Sequence, residues 1–144
     1  MASFEYKPWL HALRIGDATA TLNGAEGTDG VYVALIDTGV YTPSDTHEFY
    51  SQIAAGIVNT PQEILNKVVQ TDGKFNGAGV TFSSVTGATI EAIAFFRKNA
   101  GASTTWRLLF YEDALTNSVT GLPALPLTPN GGQINLTWNA GGIF

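Results

Sequence analysis

Cysteine is absent from the chain and methionine occurs once in 144 residues. Disulfides, thiolate nucleophiles and cysteine-ligated zinc are thereby excluded, and the redox compartment is left open. Charge is scarce as well: seven Lys and Arg stand against twelve Asp and Glu, 13% of the chain, for a net −5. That sign repels a nucleic-acid backbone, and the cations are scattered, with Arg97-Lys98 the one adjacent pair. No nucleic-acid partner is expected. Uncharged apolar runs all fall well short of the roughly 20 residues a membrane-spanning helix needs, so no membrane partner is expected either. The start, Met1-Ala2-Ser3-Phe4-Glu5-Tyr6, lacks the basic-then-apolar pattern of a secretion signal.

What remains is apolar and rich in turns. Apolar residues make up 44% of the chain and glycine occurs 16 times, which argues against both disorder and a long-helix protein. Residues 1–144 are read as one β-domain, since this length suits a single core better than two. A monomer draws its solubility from surface charge, whereas a subunit packed into an assembly can present neutral surface instead.

Periodicity supplies a coarse map. Residues 1–15 read as an N-terminal arm or a short helix over 5–14, with Pro8 in its first turn and Tyr6, Trp9, Leu10 and Leu13 at helical spacing. Residues 16–30 read as loop, with a short strand at Thr19-Leu22. Val31–Ile36 is apolar on both faces and suits a central strand. Asp45 and Glu48 form a capping pair that opens a second short helix, with Phe49 and Ile53 on one face and Gly56 ending it. Further strands are expected at 63–70, 79–84, 88–97, 104–112 and 133–138, with a weaker one at Lys74-Phe75. Asp72-Gly73 and Asn99-Ala100-Gly101 mark hairpin connections. Short strands with frequent turns define the expected class: mainly β, a β-sandwich or jelly-roll-like fold with one or two short helices in the N-terminal third. Its predicted core is Val33, Leu35, Phe82, Ile93, Phe95, Leu109 and Ile134.

The chemistry-bearing residues are few. His47 lies between Asp45 and Glu48, and His11 follows Lys7 by four, but no pair of histidines has ligand spacing, so no metal or cofactor is expected. Glu91, Glu112 and Asp113 could form a glycosidase-like pair. Trp9, Trp106 and Trp138 are the tryptophans that would line a sugar cleft, but Trp106 and Trp138 fall in strand patterns where core packing is the default. Nucleophile elbow, phosphate loop and dinucleotide fingerprint are all missing. The expectation is a protein without catalytic residues.

One stretch is more distinctive. Gly121-Leu122-Pro123 and then Leu127-Thr128-Pro129-Asn130-Gly131-Gly132 form a turn region, followed by the alternating strand Gln133–Trp138 and the ending Gly142-Ile143-Phe144. Upstream stand Val31–Gly39, Val40-Tyr41-Thr42-Pro43, Thr46-His47-Glu48-Phe49, Val80–Gly87, Glu91–Phe96 and Arg107–Asp113. In this order the segments resemble a family of small tailed-bacteriophage virion proteins, encoded among head and tail genes. Extra residues around Ala124-Leu125-Pro126 and the absence of a polar tail after Phe144 depart from that pattern. The resemblance implies a non-enzymatic structural component of the virion, assembled in the bacterial host cytoplasm. A capsid decoration or cement role, with the major capsid protein or other virion subunits as partners and a homo-dimer or homo-trimer as the unit, is the first expectation. A tail or fibre-attachment protein is the second, and a carbohydrate-binding host-recognition module the third. Large apolar groups near the chain ends and around a rigid turn nominate interface residues: Phe4, Tyr6, Trp9, Tyr41, Pro43, His47, Phe49, Ile143 and Phe144.

Overall fold

A computed structural model describes residues 3–113, 119–120 (backbone only), 125–138 and 140–144. Its strands are β1 (Phe4–Glu5), β2 (Val31–Ile36), β3 (Ile57–Glu63), β4 (Val68–Val69), β5 (Phe75–Asn76), β6 (Val80–Phe82), β7 (Ala92–Arg97), β8 (Arg107–Glu112), β9 (Val119–Thr120) and β10 (Ile134–Trp138), and its helix is α1 (Lys7–Arg14). One sheet has five strands in the order β1-β8-β7-β2-β3, a second has three in the order β6-β10-β9, and β4-β5 is a separate hairpin. All pairings are antiparallel. The fold is mainly β and sandwich-like, as the alternation and turn signals imply.

The centre is the β2–β7 ladder, which runs unbroken from Val31 opposite Arg97 to Ile36 opposite Ala92. Val33, Leu35, Ile93 and Phe95 share one face, and Tyr32, Ala34, Ile36 and Phe96 share the other. Both faces are covered, so the ladder is apolar up to Arg97 at its end. On the first face Phe95 meets Phe110, Trp138 and Phe144, which joins the large sheet to the small one and to the last residues. On the second, the 37–56 connection folds across the sheet, with Tyr41 against Tyr111 and Tyr50 against Phe96. All seven predicted core residues are buried.

Several elements differ from the sequence expectation. The segment after Asp45 contains two single 3₁₀ turns, Tyr50–Gln52 and Ala54–Gly56, in place of a second α-helix. Here the Gln52 Oε1 accepts from the backbone N–H of Glu48 and Phe49, at 2.7 and 2.9 Å, so the cap is supplied from inside the turn and Asp45 is left to bind Lys7. Gly56 does end the turn, packed so closely on Tyr41 that a Cβ there would lie 2.6 Å from the Tyr41 Cβ. Thr19-Leu22 is no strand; Ala18–Ala20 is a 3₁₀ turn capped by Asp17. The strand expected at 63–70 divides, because Asn66 enters the left-handed region at φ 52 and turns the chain. Residues 57–63 form β3 instead, an edge strand carrying Pro61 and a register shift next to Asn59, itself at φ 67. The 88–97 and 104–112 strands start later than expected, at Ala92 and Arg107.

Residues 3–15 contain the short helix expected over 5–14. Phe4 and Glu5 pair with Tyr111 and Phe110 on the edge of the large sheet, and α1 follows at once. The Asp72-Gly73 signal is a hairpin turn between β4 and β5, with Gly73 at φ 89. The Gly121-Leu122-Pro123-Ala124 part of the distinctive ending lies outside the described residues.

Phe82 and Leu109 are fully buried on different sheets. Truncating either to Ala is expected to lower stability by about 2–5 kcal/mol, read as a shifted denaturation midpoint with unchanged m-value. A midpoint within error of the parent would refute the two-sheet core.

Candidate functional site

The nine nominated interface residues separate into three groups. Tyr6, Trp9, Tyr41 and Ile143 are buried in the core of this chain. As surface anchors they are corrected: each finds its apolar partners, and its hydrogen bonds where it has polar atoms, within the same molecule. Trp9 donates its indole N–H to the Ala20 carbonyl at 2.9 Å and meets Phe144 edge-on at 5.8 Å. Ile143 N–H donates to the Phe75 carbonyl, and the Phe144 carbonyl accepts from Phe75 N–H, so the last residues pair with β5. Phe4 and Phe144 are half-buried against the core, with Phe4 stacked on Tyr111 and Phe144 on Phe110. Pro43, His47 and Phe49 keep partial exposure.

Three of these residues form a hydrogen-bonded line. The Tyr6 and Tyr41 hydroxyls lie 3.2 Å apart, and the Tyr41 hydroxyl is 2.9 Å from His47 Nδ1. The line runs from the core to a half-exposed imidazole. Burial, with Tyr41 beside it, pushes the Tyr6 hydroxyl far above the ordinary tyrosine value. Tyr111 is displaced the same way, by burial and then by Asp113. Its own hydroxyl makes no hydrogen bond among the described residues.

The carboxylates considered for hydrolysis have structural partners. Glu91 Oε2 accepts from the Thr38 N–H and hydroxyl at 2.7 and 3.0 Å, holding the turn after β2. Glu112 is buried and accepts from the Ser3 hydroxyl.

Two arginines that sequence reasoning passed over organise the other end of the large sheet. Arg97 and Arg107 stand opposite each other on β7 and β8, a like-charge pairing that is unfavourable unless each is neutralised. Arg97 grips Asp29 with both arms of the carboxylate and donates to the Ala18 carbonyl at 2.6 Å. Arg107 reaches Glu48 at 3.0 Å and Asp17 at 3.3 Å, and its guanidinium lies over the Phe49 ring at 5.6 Å. Thr19, through its N–H and hydroxyl, and then the arginines hold the Asp17 carboxyl below the usual carboxylate range. The 17–29 loop is thereby fastened to the sheet. The only local hint was the acidic and Thr-rich make-up of that loop.

Two surface depressions stand out. One, about 490 Å³, lies beside α1 and is lined by Lys7, His11, Asp17, Glu48 and Arg107. Its guanidinium and carboxylates already neutralise one another, and no group of three metal-ligating side chains occurs among the described residues. The other, about 240 Å³, is aromatic and lies between Tyr32, Tyr50, Phe96 and Trp106. Trp106, expected in the core, is half-exposed here.

Compared with protein families, curated proteins and solved structures, the chain matches no family model, no curated protein and no solved structure.

Two outcomes follow from the tyrosine cluster. Tyr41→Phe removes the partner of both Tyr6 and His47 and is expected to cost about 1–3 kcal/mol, whereas Tyr111→Phe removes a hydroxyl with no partner among the described residues and should leave thermal stability equal or higher. Because the folded state holds the Tyr6 and Tyr111 protons that the unfolded chain releases near pH 10, their contribution is complete below that pH and is lost above it. Denaturation midpoints measured from pH 8 to 11 should therefore fall at the alkaline end, and less steeply in Tyr6→Phe. An equal fall in both proteins would overturn the assignment.

Proposed function

We propose that this protein is a structural, non-enzymatic component of a tailed-phage particle, acting as a capsid decoration or cement subunit on the assembled shell. The observation that carries the reading, beyond the ordered resemblance of its segments, is an apolar surface outside both sheets. Within the Ile64–Gln70 stretch and the adjoining hairpin, Leu65, Val68 and Val69 are 46%, 51% and 48% exposed. A chain with only 13% charge that also presents such a cluster suits contact with neighbouring subunits better than life as a free monomer. Pro43, His47 and Phe49 offer a second, partly exposed contact area on the segment that covers the large sheet.

The mechanism is linkage. A subunit that binds the assembled lattice and not its dissociated form stabilises the shell by RT ln(1 + [L]/Kd) per site, and many copies multiply a small free energy. The partner is the major capsid protein or another virion subunit, the working unit is a homo-dimer or homo-trimer, and the location is the virion, assembled in the bacterial cytoplasm. Placement in the tail is the competing virion role, and copy number separates the two.

The test is incorporation into particles. Val68→Glu combined with Val69→Glu is expected to leave the thermal midpoint within a few degrees of the parent while abolishing recovery of the protein with purified particles. Quantitative mass spectrometry of parent particles should return hundreds of copies for a shell subunit, against a few to tens for a tail component. Particles that lack the protein altogether would defeat the proposal. Normal incorporation of the double variant would remove the hairpin as the contact.

A further inference from the structure

The aromatic groove has a composition that core packing does not explain. Trp106 just before β8, Tyr32 on β2 and Tyr50 from the covering segment surround it, all half-exposed, with Phe96 as the buried base. The Lys98 ammonium lies 5.2 Å from the Tyr32 ring centre and 5.0 Å from that of Trp106, shared between the two. The chain carries twelve carboxylates, yet none of those described pairs with Lys98. The Tyr50 and Thr60 hydroxyls, which also line the groove, make no side-chain hydrogen bond among the described residues. Burial keeps the Tyr50 hydroxyl protonated well into the alkaline range, so it remains a donor.

These groups are held rigidly. The Trp106 indole N–H donates to the Gly101 carbonyl at 2.9 Å, and the Trp106 carbonyl accepts from Tyr50 N–H at 2.8 Å. Asn99 closes the intervening loop, accepting from Gly101 N–H and donating to the Thr105 carbonyl. Glu63, the acid bonded to Tyr32, accepts from the Gly27 N–H at 2.7 Å and the Tyr32 hydroxyl at 3.4 Å. An aromatic wall, a cation with no carboxylate partner among the described residues, and the hydroxyl-bearing Tyr50 and Thr60 therefore line a space of about 240 Å³.

We infer that this groove is a binding site for a carboxylated pyranose unit of an acidic polysaccharide. The C–H face of the sugar ring stacks on Trp106 or Tyr32, the carboxylate pairs with Lys98, and ring hydroxyls meet Tyr50 and Thr60. A neutral sugar would leave the Lys98 charge unmatched, and a bare anion would leave the rings uncovered. The inference is independent of where the protein sits in a particle.

Titration of the full chain with oligogalacturonate, hyaluronan oligosaccharides and oligosialic acid, followed by calorimetry and by intrinsic tryptophan fluorescence, with Trp106→Phe identifying the part of the signal that comes from the groove, is the test. At least one of these probes should bind at millimolar or lower concentration. Lys98→Met should weaken that binding about tenfold, as should methyl-esterification of the sugar carboxylates. Tyr50→Phe, which leaves the ring in place, should weaken it less, and thermal melts of both variants should match the parent. Absence of binding to all three probes would overturn the inference. So would equal affinity for the esterified sugars, indifference to Lys98→Met, or preference for an acidic peptide over every saccharide.

Discussion

A sheet that is apolar on both faces cannot stand alone, and in this molecule that constraint falls on β2 and β7. Every residue from Ala92 to Arg97, and all of Val31–Ile36 except Tyr32, is buried. The chain supplies two unlike covers. One is a second sheet with the terminal Ile143-Phe144 pair, which fills one face with aromatic contacts. The other is an irregular connection, residues 37–56, whose regular structure is limited to single turns and whose grip comes from Tyr41, Tyr50 and Ile53. Where the turns of that second cover leave backbone N–H groups unpaired, side chains such as Gln52 and Glu91 satisfy them.

The electrostatics follow from the same arrangement. Both ladder ends need termination where the apolar faces run out, and the end that carries Arg97 and Arg107 is closed by the 17–29 loop with its carboxylates. Buried pairs of this kind offset their own desolvation only when their hydrogen bonds are well met, and Arg97 meets that condition more fully than Arg107, whose Nε makes no hydrogen bond among the described residues. Their contribution is therefore better described as fixing where the loop lies than as adding net stability.

The strands that sequence made legible are those whose pattern is set locally. Val31–Ile36 reads as a doubly buried strand because no position in it is polar, and Gln133–Trp138 reads as half-buried because its residues alternate. β3 was illegible because Asn59 and Pro61 forbid a regular strand, and only the bulge they create fits them to the edge beside β2. The two-residue β1 has no local signal at all; its pairing to β8 fixes it. For the surface, spacing predicted that aromatics near the ends were special without predicting which way they point. Tyr6, Trp9, Tyr41 and Ile143 turn inward. Trp106, in an unremarkable strand pattern, forms a half-exposed wall because the 99–105 turn rotates it out of the core. Inward or outward is decided by partners distant in sequence.

The β2–β7 ladder also governs how the chain reaches this state. Its two strands are separated by the whole 37–91 stretch, so the most apolar segment of the N-terminal half has no central-sheet partner on one side until residues far downstream have arrived. Closing so large a loop before any native pairing compensates for it makes such topologies slow to fold. Until then Val31–Ile36 is an uncharged, β-prone run with an open edge, and its exposure favours association with other chains. On this topology the central strand stays open on the β7 side until the chain has been made through Arg97.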